Sequence, residues 1–319
     1  MKTLTVLCDT FNQKDYITDA IESFLKQKTD FEFDIWIHDD ASTDGTLEIL
    51  DSYESKYPDK IRIFREEKNK YSRGIDFVYE LAFELQSKYV ALCDGDDYWI
   101  SDNKLQRQVE ILESRQDVYA CGTESILYDL KNPSNLLYWG KYRHDVEFPA
   151  ENLIKLGTVI KPSSWCLRTS EFKAGQEFIR KLGGNADSQW YFWIATSQKK
   201  VFYISEPMVL YRFNVPGSWT TVNRDCVYDG SKILLLFDEL TEKQYSSLVN
   251  QALLKSQLLA IKAQRETHSF HFFILWLKFW KYYGTKEAIR HITDEGILWQ
   301  IRVVLYKCKQ KIKSGRKNG

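Results

Sequence analysis

The chain has 319 residues, is 44% hydrophobic, and balances 44 acidic residues against 44 basic ones. A chain of that size can bury a full core, in one large domain with an accessory part. A net charge of zero brings no bulk attraction toward nucleic acid. No run of about eighteen apolar residues occurs, so no membrane-spanning helix is expected. The opening Met1-Lys2-Thr3-Leu4 meets Asp9 too soon for a signal-peptide core. Six scattered cysteines (Cys8, Cys93, Cys121, Cys166, Cys226 and Cys308) form no CxxC pair and read as small core residues of a reducing, cytoplasmic compartment.

Leu4 to Cys8 predicts a buried strand, and Ile17, Ala20, Ile21, Phe24 and Leu25 then recur at helical spacing after a candidate cap at Asp15. Phe33 to His38 predicts a second strand, followed by Asp44-Gly45 and a helix carrying Leu47, Leu50 and Tyr53 on one face. Ile61 to Phe64 alternates as a third strand. Ile75, Val78, Leu81, Ala82 and Leu85 form another helical stripe, leading into the apolar run Tyr89 to Cys93. Strands alternating with helices of this length imply parallel pairing and a three-layer α/β domain. A helix over Lys104–Arg115 follows, with Leu105, Val109 and Leu112 inward. From Tyr119 to Phe213 the pattern is irregular and aromatic, with short strands such as Val201 to Ile204. Beyond Asp225 it is helical (233–240, 245–265, 270–283, and a last helix into a basic tail).

In sheets of this kind ligands bind beyond the carboxyl ends of the strands. Asp9, Asp39, Asp40, Asp94, Asp96 and Asp97 all fall there. Three acids within Asp94-Gly95-Asp96-Asp97 repel one another, and a divalent cation resolves that repulsion; carboxylates beside open positions suit Mg²⁺ or Mn²⁺. No GxxxxGK[ST] and no GxGxxG after the first strand are present, so backbone amides are not expected to hold phosphates. Asp9-Thr10-Phe11 lacks the second Asp of an aspartyl-phosphate enzyme. By elimination, a metal at the second acidic cluster is the expected phosphate anchor.

Cys8-Asp9-Thr10-Phe11-Asn12, Asp39-Asp40-Ala41-Ser42-Thr43-Asp44-Gly45-Thr46 and Asp94-Gly95-Asp96-Asp97-Tyr98-Trp99 together resemble the family 2 glycosyltransferases of the GT-A fold. The motifs span about the first 110 residues, and Asp187-Ser188-Gln189-Trp190 and Tyr211-Arg212 look like the family's acceptor-side elements. The resemblance implies a GT-A-type three-layer α/β/α domain over 1–225, with a nucleotide-sugar half (1–115) and an acceptor half (116–225). A helical C-terminal extension over 226–319 would follow. It also implies inverting sugar transfer from a nucleotide-sugar, most often UDP-linked, with Mg²⁺ or Mn²⁺.

Carried onto matching positions, Thr10 and Asn12 line the nucleoside pocket and Asp39 accepts the hydrogen of the base ring nitrogen. Asp94 faces ribose or sugar hydroxyls, and Asp96 ligates the metal. Asp97 either orients Asp96 or contacts the donor sugar. Asn69 and Gly74 sit where the family has a donor-contacting loop. The family often places a metal-completing His shortly after the Tyr-Arg pair; here that position is Asn214, a poor ligand, and Arg212 could supply charge to the diphosphate instead.

Sugar transfer also needs a carboxylate to take the acceptor hydroxyl's proton. Asp187, after Gly183-Gly184-Asn185-Ala186 and before an aromatic helix, is the candidate, with a plain helix N-cap as the alternative. Trp99, Trp165, Trp190, Trp193 and Trp219 are either core or sugar platforms, and the five histidines read as structural. The expected function is building a polysaccharide from a nucleotide-sugar donor onto a glycan or lipid-linked acceptor. A non-catalytic nucleotide or carbohydrate binder and a sugar nucleotidyltransferase are the alternatives. The aromatic segment Phe270 to Leu277 and the bases from Lys307 to Lys317 predict either peripheral contact with an anionic membrane face or packing and oligomerisation.

Overall fold

A central strand, β1 (Leu4–Thr10), is buried on both faces along nearly its whole length, as a strand inside a parallel sheet should be. It pairs in parallel with β2 (Phe33–Asp39) on one side and with β4 (Tyr89–Asp94) on the other, and β3 (Ile61–Arg65) extends the sheet beyond β2. The computed structural model describes residues 2–253 except 74–76, 141, 157–158, 183–187 and 223–230. Helices α1 (Ile17–Leu25), α2 (Thr46–Lys56) and α3 (Phe77–Glu84) make the crossovers between these strands.

The start of α1 differs from the sequence expectation. Tyr16, not Asp15, occupies the cap position and no side chain caps the helix. The amides of Tyr16 and Ile17 both donate to the Gln13 carbonyl at 2.9 Å, so a preceding turn satisfies them.

Beyond β4 come β5 (Tyr98–Trp99), α4 (Lys104–Ser114), β6 (Val118–Asp129), β7 (Leu136–Tyr138), β8 (Val146–Pro149), α5 (Leu153–Leu156), β9 (Cys166–Arg168), α6 (Thr169–Leu182), α7 (Ser188–Thr196), β10 (Lys200–Phe213) and α8 (Trp219–Val222). The strands run β3-β2-β1-β4-β9-β6-β10-β5 in one mixed sheet, with β7 beside β6 and β8 beside β10. The stretch expected to be irregular therefore contains two long parallel strands, β6 and β10. Thr123, Glu124 and Ser125 are buried inside β6, which erases any apolar alternation. In β10 the register shifts on either side of Pro207, a bulge that a proline-bearing strand requires.

Two apolar layers sandwich the sheet. On one face Val6, Cys8, Ile35 and Ile37 pack with Ile17, Ile21 and Phe24 of α1 and with Leu105, Val109 and Leu112 of α4. On the other, Leu7, Trp36 and Val90 pack with Leu81 and Ala82 of α3, Phe172 of α6, and Tyr191 and Ile194 of α7. The result is the three-layer α/β/α arrangement. Helix α6 carries Gly175 in its middle because a Cβ there would collide with the Trp193 indole of α7.

Cys8, Cys93, Cys121 and Cys166 are free thiols in the core, and burial pushes each of them up, away from the reactive thiolate. A second compact unit runs from Val227 to Gly319. Its described part is α9 (Ser231–Leu240), a turn over 241–245 and a helix over 246–253. Phe237 and Tyr245 pack at 5.7 Å between centroids across that turn. The Phe270 to Leu277 segment and the basic tail lie outside the described residues. Among the described residues no helix is long and apolar enough to cross a membrane.

Candidate active site

Parallel pairing brings the predicted acids to one edge. In register, Asp9 of β1 lies beside His38 of β2 and Asp94 of β4, and Thr10 lies beside Asp39. Asp9 Oδ1 is 2.9 Å from Nδ1 of buried His38, whose Nε2 is 3.5 Å from Glu66, so this histidine, read as structural, bridges two carboxylates at the strand ends.

The loops after β1 and β2 are laced together. Asn12 donates its amide to Ser42 Oγ at 2.9 Å and accepts from the Thr43 amide at 2.8 Å through Oδ1. The Gln13 amide donates to Thr46 Oγ1 and the Lys14 amide to Asp44. Asn12 takes a left-handed backbone to do this, at φ 52°. Thr10 is buried, its hydroxyl donating to Gln13 Oε1 at 2.8 Å. Gly95 lies directly over it, and an added Cβ would come within 2.9 Å of Thr10. Of the two expected pocket residues, Asn12 is at the open surface and Thr10 is the floor beneath the acidic turn.

Asp39 is enclosed. Its Oδ2 accepts from the Ser42 amide at 3.0 Å, and Oδ1 has no partner among the described residues. A buried, half-satisfied carboxylate is costly unless something else donates to it. Its neighbour Asp40 is fully engaged, accepting from the amides of Lys70 at 2.6 Å and Tyr71 at 3.1 Å. Asn69 closes the same turn, donating to the Asp40 carbonyl at 3.3 Å and accepting from the Ser72 amide at 2.6 Å. Gly74 lies outside the described residues.

Around the Asp94–Trp99 motif, carboxylate oxygens of Asp94, Asp96 and Asp97 lie within 4.8 Å of one another. Burial, then nearby Asp9, pushes the Asp96 carboxyl up to about 6, against the opposing pull of Arg212. Hard oxygen donors this close, one of them reluctant to ionise alone, fit Mg²⁺ or Mn²⁺.

Asp97, expected either to orient Asp96 or to contact the donor sugar, is turned inward. It is fully buried, with one oxygen taken by the Ser163 hydroxyl and the other by the Arg212 amide at 2.9 Å. It braces the acidic turn against β10 and the 162–164 turn, which leaves Asp94 and Asp96 as the residues that would hold a cation. Burial, and then Asp96, raises the Asp97 carboxyl well above the usual carboxylate range.

Arg212 is also committed. Its guanidinium donates to the Asp96 carbonyl at 2.8 Å and to Asp19, and it lies over the rings of Tyr98 and Tyr16. Its charge therefore acts beside Asp96 from below. Asn214, at the position where a histidine was expected, donates to Asp129 at 2.5 Å from a left-handed backbone.

Of the five tryptophans read as either core or sugar platforms, Trp99 and Trp165 are core and Trp193 packs against it, partly buried. Trp99 packs on Phe24 and donates to the Ser163 carbonyl, Trp165 packs on Tyr191, and Trp193 donates to Tyr119. Asp187 and the side chains of Trp190 and Trp219 lie outside the described residues. Sequence reasoning missed Ser163, Lys161 and Trp139. Lys161 lies 3.6 Å from the Trp139 ring centroid and 4.0 Å from that of Tyr211. Only tertiary structure brings these residues together, so no local pattern marks them.

Residues 5–161 match the family model described as Glycosyl transferase family 2. The uncharacterized protein Rv1520 of Mycobacterium tuberculosis is 33% identical over 119 residues, which are 37% of this chain and 34% of that one. The abequosyltransferase RfbV of Salmonella typhimurium is 26% identical over 224 residues, 64% of each chain. The chain thus spans about a third of Rv1520 and just under two thirds of RfbV. Among solved structures, residues 1–349 of S. aureus TarS in complex with UDP-GlcNAc share the fold. The TM-score is 0.66 at 16% identity, over 98% of this chain and 92% of that one. Residues 5–161 thus carry a segment that matches the family 2 glycosyltransferases, and the chain has a GT-A-type fold.

Proposed function

We propose that the protein is a metal-dependent, inverting glycosyltransferase that moves a sugar from a UDP-linked donor to a glycan or lipid-linked acceptor during polysaccharide synthesis. The observation that carries this reading is the convergence of Asp39, Asp94 and Asp96 at one sheet edge. Asp39 keeps a buried oxygen for an outside donor, and Asp94 and Asp96 stand together where charge must be neutralised. The imide N–H of uracil fits the open oxygen of Asp39, and a cytosine ring nitrogen, which only accepts, does not. The TarS complex with UDP-GlcNAc lends support at the level of fold.

In this reading Asp94 and Asp96 hold Mg²⁺ or Mn²⁺, and a bound cation supplies positive charge for the leaving diphosphate. Asn12 borders the nucleoside at the surface, while Thr10 and Asn69 shape the pocket from beneath and beside it. Arg212 and Asp97 keep the acidic turn in place. Asp187 takes the proton from the acceptor hydroxyl as it attacks the anomeric carbon from the face opposite the diphosphate, which inverts that centre. The enzyme works at the cytoplasmic side of a membrane when its acceptor is lipid-linked.

A panel of nucleotide-sugars incubated with Mn²⁺ tests the reading through its products. Free nucleoside diphosphate is expected. Pyrophosphate would identify a nucleotidyltransferase, and no product from any donor would leave a binding protein.

A further inference from the structure

The acceptor half carries an exposed apolar edge. In β7 and the residue after it, Leu136 is 52% exposed, Tyr138 66% and Trp139 36%, with Leu137 between them exposed as well. Proteins usually blunt such an edge with charge or cover it, because it invites association. This one is close to the chemistry. β7 pairs with Ile126–Tyr128 of β6, and the other side of that segment pairs with Leu210–Arg212 of β10. The Arg212 amide holds Asp97.

A cation stands beside this edge. The Lys161 ammonium lies over both Trp139 and Tyr211. Lysine is a point charge suited to phosphate, and the aromatic rings beside it suit the C–H face of a sugar. Acids at the sheet edge would repel a negatively charged acceptor, and an ammonium on the acceptor side offsets that repulsion. The nucleotide-binding features lie elsewhere, at the ends of β1 and β2.

We infer that Trp139 and Lys161 form an acceptor subsite for a phosphate-bearing glycan, with a sugar ring stacked on Trp139 and its phosphate paired with Lys161. This deepens the glycosyltransferase reading and rests on it.

The test uses the full chain and three soluble probes kept below their micelle concentrations: octyl β-glucoside 6-phosphate, octyl β-glucoside and octyl β-glucuronide. Calorimetric titrations compare wild type, Lys161→Met, Trp139→Ala and Trp139→Phe, with UDP titrated into each protein as a control. The phosphate probe is expected to bind wild type about tenfold more tightly than the neutral glycoside, one charge-assisted contact's worth. Lys161→Met should level the two. Trp139→Ala should weaken all probes and Trp139→Phe should restore them, while UDP affinity stays constant throughout.

Equal binding of phosphate and neutral probes by wild type, or a preference that survives Lys161→Met, overturns the subsite. A glucuronide that binds as tightly as the phosphate overturns the phosphate assignment. Binding to phosphatidylglycerol vesicles without binding of the monomeric probe also overturns it, in favour of a lipid surface. If Trp139→Ala fails to fold, the Lys161→Met comparison decides. Donor turnover is read separately, so its absence would sink the glycosyltransferase reading without altering the probe result.

Discussion

Replacing Asp96 with Asn removes one of three crowded carboxylates at almost constant shape, so the cost of that crowding becomes measurable. In the folded chain burial is the main cause that moves Asp96 from 3.8 to about 6. The folded value lies above the unfolded one, so between the two the folded state binds the additional proton. Stability therefore falls as pH rises through that window, and the loss is complete above it. At about 1.4 kcal/mol per pH unit, the cost is at most about 3 kcal/mol. Asp97 shifts in the same direction, partly because of Asp96, so the substitution relieves it too. In chelator at pH 7.5, Asp96→Asn should exceed wild type in stability by about 1–3 kcal/mol. The gap should close by about pH 4, where both carboxyls are protonated. Added Mn²⁺ should stabilise wild type and leave the variant unchanged, and donor turnover should be lost in the variant. Urea unfolding followed by tryptophan fluorescence, at several pH values with and without Mn²⁺, measures all of this. A wild type whose stability relative to the variant is flat or rising between pH 4 and 6 would refute the argument, as would a variant that gains as much from Mn²⁺.

Asp39→Asn should weaken UDP binding by about 10- to 100-fold, the cost of replacing a charged acceptor that the base donates to, and should erase a preference for UDP over CDP; competition binding with the two nucleotides decides. Asp187→Asn should lower kcat by on the order of 10²–10⁴ with donor affinity unchanged, and a parallel loss of donor binding would make Asp187 a structural cap or a donor ligand. Gly175→Ala should cost about 1–3 kcal/mol by forcing α6 from Trp193, measured by denaturation; a neutral effect would mean the two helices are not in close contact. The full chain should co-sediment with anionic vesicles at low salt and release at high salt if the Phe270 to Leu277 segment and the basic tail meet a membrane; binding that ignores lipid charge retires that contact.

How much of this was legible follows from where each signal resides. In the nucleotide half, β1, β2 and β4 are mostly apolar runs that reach an acid at their ends, and β3 alternates. Because parallel strands end on one side, reading four runs in order was enough to bring Asp9, Asp39 and Asp94 together. The acceptor half hides its strands. β6 buries Thr123, Glu124 and Ser125 among apolar neighbours, and β10 bends at Pro207, so neither shows a clean period of two. Helix α6 was missed because Gly175 interrupts its stripe, and only the Trp193 indole explains that glycine. Within the acidic motif, residue type alone does not distinguish the carboxylate left at the sheet edge from the one that braces the turn. The distinction comes from the chain reversing at Gly95, pressed against Thr10, with the Asp97 amide donating back to the Asp94 carbonyl at 3.0 Å. That reversal turns Asp97 inward to Ser163, 66 residues away along the chain, and to the β10 backbone. Asp94 and Asp96 are left at the edge. An acid-rich turn can thus carry an edge carboxylate and a bracing one side by side, and the partners that separate them come from distant parts of the chain.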